Sequence, residues 1–340
     1  MRTLRPRTRP GACPVVVREH PFTPGRRPLR LLRNLAWTLP ALTTGAFAQD
    51  ASIPLPNLGA GYAQMINVTL SDDLTTAGYR LDASEGYSPP ELRVTRVPWR
   101  FASTEAGTGT IDWELLTGYL DMSTAFTVAV PGLGDGRIDM DWVGYGLTLG
   151  ARYRWPISDT LSVEPLLRFG IEHLENDATY SGSAELLAPY VDGSLLNWQT
   201  EAWILTPGLA LTSQHHWGKT YTHLSAHVVH SLVGSFNESD DAVSFREGVN
   251  NFSLKGELER ASPWTIEGQR IFWLGLGGYT RFFGENSDAL GFNDVFEVGA
   301  GLSIPLSTSA DTGRRLRFSA SVLRGEGVRG WTIGLGLGEI

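Results

Sequence analysis

The chain has 340 residues, 42% of them hydrophobic and 19% charged, with a formal net charge of −8 and a mean hydropathy of −0.10. The acidic balance argues against a nucleic-acid-binding protein, and a single cysteine rules out a disulfide-stapled scaffold. Past the N-terminal segment no run of eighteen apolar residues is present, which excludes a bundle of transmembrane helices but not a barrel, whose strands alternate and average to neutral.

In chain order, residues 1–25 are rich in Arg and Pro. Arg26, Arg27, Arg30 and Arg33 then precede an apolar stretch from Leu35 to Phe47 that ends in Ala46-Phe47-Ala48. A basic region, a short apolar core and an A-x-A site predict a secretory signal cut after Ala48. Residues 1–48 hold nine Arg and one Glu. The mature chain therefore keeps 28 − 9 = 19 basic and 36 − 1 = 35 acidic residues, a net of −16, and loses Cys13. Residues 49–90 read as a short periplasmic lead, a weak first strand at Gly61–Leu70 and a loop.

Residues 91–340 read as strands, because apolar and polar residues alternate with period two. Tyr145, Leu147, Leu149, Ala151, Tyr153 and Trp155 share one face, and Gly144, Gly146, Thr148, Gly150, Arg152 and Arg154 share the other. After the turn at 156–160, Val163, Leu167, Phe169 and Ile171 oppose Glu164, Arg168 and Glu172. Phe252, Leu254 and Leu258 oppose Lys255, Glu257 and Glu259. Phe296, Val298, Ala300 and Leu302 oppose Glu297, Gly299 and Gly301. Leu316, Phe318 and Ala320 oppose Arg317 and Ser319. Charges inside a greasy strand need water or partners, so Arg96, Arg152, Arg154, Glu164, Arg168, Glu172, Lys255, Glu257, Glu297 and Arg317 are the candidate lumen residues. They are expected either to cross-link into a plug or to line an ion-selective pore.

Connections alternate between a short or polar set (102–110, 156–160, 214–219, 261–268, 307–313) and a set mostly longer or more acidic (71–90, 122–136, 175–194, 235–248, 284–291, 325–327). Short periplasmic turns and longer external loops are the habit of outer-membrane barrels. The expected fold is all-β, a transmembrane antiparallel up-and-down barrel of twelve strands, with ten as the alternative count.

The chain ends on Trp331, Ile333, Leu335 and Leu337 facing one way, with Thr332, Gly334, Gly336 and Gly338 facing the other. Left unpaired in water, this ribbon would be an aggregation-prone edge. Gly330, Trp331, Ile333, Leu335 and Leu337 fit the C-terminal signal read by the barrel assembly machinery, without the usual terminal aromatic. With Leu92-Arg93-Val94-Thr95-Arg96-Val97-Pro98-Trp99, Phe296-Glu297-Val298-Gly299-Ala300-Gly301-Leu302 and Gly325-Glu326-Gly327-Val328-Arg329-Gly330-Trp331, residues from about 91 to 340 resemble the solitary outer-membrane autotransporter-like β-barrel family. The resemblance implies a translocator-like barrel without a secreted passenger, and no catalytic residues.

Three other constellations carry chemistry-bearing residues. His215, His216, His223, His227 and His230 crowd one region, and His223, Ser225 and His227 share a strand face. A lipid hydrolase would need such a Ser–His pair, but the i, i+2 spacing is too wide for direct contact. Asn237-Glu238-Ser239-Asp240-Asp241 and Glu285-Asn286-Ser287-Asp288 lack a calcium-loop spacing and read as solvated charge. Gly132-Leu133-Gly134-Asp135-Gly136 and Gly275-Leu276-Gly277-Gly278 precede no helix, so they are not nucleotide loops. No cofactor and no metal are expected. The expected partners are outer-membrane lipid and lipopolysaccharide and the assembly machinery, in the outer membrane of a diderm bacterium. A diffusion porin and a lipid-modifying hydrolase are the competing functions.

Overall fold

A computed structural model describes residues 58–69, 75–83, 88–130, 132–266, 268–284, 287, 289–306 and 315–338. The signal segment 1–48, Cys13, the start of the lead, the turn at 307–313 and most of the acidic 285–288 segment lie outside the described residues. Twelve antiparallel strands close into one barrel, each paired with its sequence neighbours and β1 with β12. They are β1 Thr75–Leu81, β2 Glu91–Ala106, β3 Gly109–Val130, β4 Gly134–Pro156, β5 Leu161–Gly182, β6 Trp198–Trp217, β7 Thr220–Phe236, β8 Arg246–Ile266, β9 Gln269–Phe283, β10 Asp294–Pro305, β11 Arg315–Gly325 and β12 Val328–Gly338. Closure leaves no free ladder of backbone donors and acceptors in the wall, which is the condition for a sheet to sit in hydrocarbon.

The register gives the barrel's dimensions. From Arg96 the row of directly opposed residues runs through Gly118, Gly146, Glu172 and Ala202 toward Ser235, which is bonded to Phe245. In the other direction it runs through Thr75, Gly334, Ser319, Gly301, Leu274 and Glu259 to Tyr221. The two arms meet on β7 at Ser235 and Tyr221, a stagger of 235 − 221 = 14 residues. Twelve strands about 4.8 Å apart, rising about 3.3 Å per residue, then tilt by about 39° and enclose a backbone diameter of about 24 Å. Inward side chains of about 5–6 Å on each wall leave room for one helix, whose diameter is about 10–12 Å.

The outer face carries the apolar band. On β5 it spans Val163, Pro165, Leu167, Phe169 and Ile171 up to His173, which stacks with Tyr145 at 5.0 Å. Ten residue steps at that tilt rise about 25 Å, the height of a barrel's lipid band. Trp99, Trp113, Trp155, Trp217, Trp264 and Trp273 stand exposed at the short-turn end, as interfacial aromatics do. Sheet irregularities fall at Arg100/Ala102 and at Ala261/Thr265, next to Pro98 and Pro263, where proline removes a ladder donor.

The structure corrects two expectations. Gly61–Leu70 does not form a strand: Leu58–Thr69 is a helix, α1, and the first strand is Thr75–Leu81. A strand inside a closed wall has no edge to pair with, whereas a helix satisfies its own backbone. The segments 122–136 and 175–194 are not loops throughout either, since β3 runs on to Val130, β4 begins at Gly134 and β5 continues to Gly182. β3, β4 and β5 rise beyond Glu91↔Ser123 and Asn176↔Trp198, where β2 and β6 stop pairing with them. The raised sheet folds residues 183–197 against itself around Phe126, Ile138, Met140, Ala178, Ala184, Val191 and Leu196. This lobe stands above the band with Asp135, Asp139, Asp141 and Asp177 along β4 and β5.

Candidate functional site: the barrel lumen

Helix α1 fills the lumen at the level of the long connections. Ala60, Tyr62, Ala63, Met65, Ile66 and Val68 are buried, as are Gln64 and Asn67. A helix buried all round belongs to a core rather than a surface, and its neighbours include Leu92, Leu120, Leu174, Ile204, Val233 and Val249 from six strands. The Tyr62 ring lies 4.6 Å from Trp198, 5.6 Å from Trp142 and 5.8 Å from Phe245. Trp142 and Trp198 are held at one level by Asn176, which opposes both across the sheet, and they meet edge to face at 5.4 Å. The lower end of the helix is anchored by polar contacts. Ser231 Oγ donates to Asn67 Oδ1 at 2.9 Å and lies 2.9 Å from Thr206 Oγ1. Arg96 Nε donates to Val68 O at 2.7 Å, so a cation caps the negative end of the helix.

Below the helix two ion-pair networks cross the lumen wall. On β3–β5, Arg168 Nε donates to Glu114 Oε1 at 2.6 Å, and Arg152 Nη2 lies 3.6 Å from Glu114 Oε2. Arg152 Nη1 also lies 3.4 Å from Glu164 Oε2, and Arg154 reaches Asp112 at 2.8 Å. Arg168 must pass over β4 to reach β3, and Gly150 makes room: a Cβ there would lie 2.6 Å from Arg168 Cγ. On the opposite wall Arg315 donates to Glu259 at 2.6 Å and Arg317 to Glu257 at 2.8 Å, while Arg317 Nη2 lies 2.7 Å from Glu259 Oε1. These pairs join β8 to β11 across β9 and β10, where the small residues Gly299, Gly301 and Ser303 lie beneath them. The Arg315 guanidinium also covers the Phe272 ring at 3.7 Å and the Tyr221 ring at 5.0 Å. Every charge here is paired, as burial demands.

The sequence-derived candidates thus separate. Arg152, Arg154, Glu164 and Arg168 meet in the first network, and Glu257 and Arg317 meet in the second. Arg96 serves the helix. Glu172 is buried against Gly144 and Gly146. Lys255 stands on the inner face of β8 opposite Gly278, and Glu297 accepts from Thr332 Oγ1 at 3.1 Å. Asp112, Glu114 and Arg315, absent from the sequence reading, and Glu259, placed there on the polar face but not among the candidates, complete the networks. The first two alternate with Ile111, Trp113 and Leu115 in period two, which was the available signal. Of the C-terminal residues that the sequence offers as an assembly signal, Ile333 and Leu335 are exposed on the outer face, and Leu337 lies in β12. Gly330 faces inward, opposite Tyr79. Trp331 lies over Gly78 of β1, where a Cβ would sit 2.8 Å from the indole, so the last strand seals against the first through an aromatic laid on a glycine.

The histidines do not gather. His215 stacks outward on Trp217 at 5.6 Å and His216 inward on Tyr221 at 4.2 Å. His223 Nδ1 is 3.8 Å from Glu257, and His230 Nδ1 is 2.8 Å from Asn250 on the outer face. Ser225 is buried in the lumen wall opposite Thr212 and Lys255. In the external loop, hydrogen bonds from the Ser235 hydroxyl, the residue's own amide and the Ser244 hydroxyl hold the Glu238 carboxyl below the usual carboxylate range.

Solved structures share the barrel architecture. The β domain of the Bordetella autotransporter BrkA aligns at 14% identity over 77% of this chain and 96% of its own, with a TM-score of 0.44. The transport unit of the Escherichia coli autotransporter AIDA-I aligns at 11% over 83% and 98%, with a TM-score of 0.48. The translocator domain of NalP from Neisseria meningitidis aligns at 9% over 78% and 85%, with a TM-score of 0.45. No curated protein matches the chain. A family model, the solitary outer membrane autotransporter beta-barrel domain, matches residues 89–335, from just before β2 into β12. The chain therefore belongs to the solitary outer-membrane autotransporter β-barrel family.

Proposed function

We propose that this protein is a sealed, translocator-type barrel whose own helix α1 stoppers the lumen, and that it neither conducts solute steadily nor carries out lipid chemistry. The observation that carries this reading is the burial of α1 among wall residues, with Tyr62 at 3% exposure and Ile66 at 0%. The paired charges beneath it support the same reading, because cross-linked guanidiniums and carboxylates are not free to line a hydrated path. The hydrolase alternative needs a serine hydroxyl beside an imidazole at the lipid boundary, and Ser225 instead faces the lumen one strand step from His223. In this reading residues 1–48 are a removed export signal, so N-terminal sequencing of the membrane-embedded protein should begin at Gln49. Planar-bilayer recording of the refolded chain tests the seal. The expected trace is flat, with steps appearing after Met65→Pro breaks the helix. Steady, ion-selective steps from the unaltered chain would show an open pore and overturn the reading.

A further inference from the structure

The outer rim is acidic around the raised β3–β5 sheet, yet one sector of it is basic. Arg80 on β1 directly opposes Arg329 on β12, and Arg329 directly opposes Arg324 on β11. The three side chains stand on one row and one outward face. Arg93 stands on the same face of β2 in the next row, between Gly78 of β1, where the Trp331 indole lies, and Asp121 of β3. Like charges opposed across strands repel, so the sequence keeps this row against its own electrostatics. Arg80 pairs with Glu91. Among the described residues no carboxylate lies within ion-pair distance of Arg93, Arg324 or Arg329. Immediately below the row the wall turns greasy, with Val322 and Val298 each 67% exposed and Ile333 58% exposed. The arginines therefore stand where hydrocarbon gives way to headgroups at the long-loop end, the outward-facing leaflet.

We infer that Arg80, Arg93, Arg324 and Arg329 form a binding site for the phosphate of an anionic glycolipid headgroup in the outer leaflet. The fit is one of charge and geometry. Guanidinium forks bind phosphate oxygens bidentately, and adjacent strands place the forks about 5 Å apart with about 10 Å across the trio. One phosphate can bridge two neighbouring arginines, and its lipid tails would lie along Val322, Val298 and Ile333. The site depends on the barrel's place in the outer membrane, not on the sealed lumen.

The test is native mass spectrometry of the refolded full-length mature chain after incubation with bis-phosphorylated lipid A or the same lipid dephosphorylated. Retention should favour the phosphorylated lipid and weaken with salt. The double variant Arg324→Gln/Arg329→Gln should lose about a hundredfold in affinity, since each charge-assisted hydrogen bond removed costs roughly tenfold or more. Arg324→Lys/Arg329→Lys should fall between, and Arg260→Gln, on the outer face at the other end of the barrel, should bind as the parent does. Heat-modifiable gel mobility establishes that each variant is folded. Equal retention of both lipids, or a glutamine double variant that binds like the parent, would overturn the assignment. Displacement of the lipid by millimolar inorganic phosphate would overturn it too, because the site would then be one for a free anion.

Discussion

Replacing Tyr62 by Ala removes the largest side chain that seats the helix in the lumen. Its ring is 3% exposed and touches three aromatic neighbours. Truncating a buried aromatic to Ala costs about 3–5 kcal/mol, a figure that already contains the packing of those rings. A helix of 12 residues has little stability alone in water. The loss should therefore fall on the balance between seated and released α1 rather than on the wall, whose ladders do not involve Tyr62. At 1.36 kcal/mol per decade the released population should rise by about 10² to 10⁴. Residues 49–340 contain no cysteine, so in a chain of those residues Ala60→Cys, at a position 3% exposed, supplies a unique reporter. Maleimide labelling should accelerate by that factor when Tyr62→Ala is added, with heat-modifiable mobility unchanged. An acceleration below roughly threefold, less than 1 kcal/mol, would show that Tyr62 does not hold the helix in place.

Two further outcomes follow from the wall. Glu114→Gln leaves Arg168 and Arg152 short of countercharge where both are nearly buried, so urea unfolding should lose about 3–5 kcal/mol. A loss under about 1 kcal/mol would mean the arginines find water or other partners. Gly78→Val drives a side chain into the Trp331 indole at the closing seam. It should cost about 1–3 kcal/mol and slow the appearance of the compact gel species during refolding, and parent-like refolding would remove Trp331 from the closure step.

Much of this architecture was legible in the chain because a barrel wall obeys a local rule. Period-two alternation assigns each residue of a strand to lipid or lumen, so Leu167, Phe169 and Ile171 against Glu164, Arg168 and Glu172 could be sorted without coordinates. The strand count of twelve holds, but with Thr75–Leu81, inside the expected loop 71–90, as the first strand in place of Gly61–Leu70. Helix α1 escapes a local reading because nothing in the chain says that no sheet edge remains for that segment to join. The long external segment at 122–136 was misread because polar residues in a strand that rises above the membrane look like those of a loop.

By itself, then, the sequence determined the faces of most wall strands and the closure as a membrane barrel, since these depend on neighbours in the chain and on the solvent each face meets. Only the tertiary structure decided which residues lie opposite one another, and everything else of interest rests on that. The 14-residue stagger sets a bore one helix wide. The register brings Glu114 to Arg168, Glu259 to Arg315, and Arg80, Arg329 and Arg324 into one row. Those pairings join residues far apart in sequence, and a one-residue slip in any strand would turn its side chains to the other face.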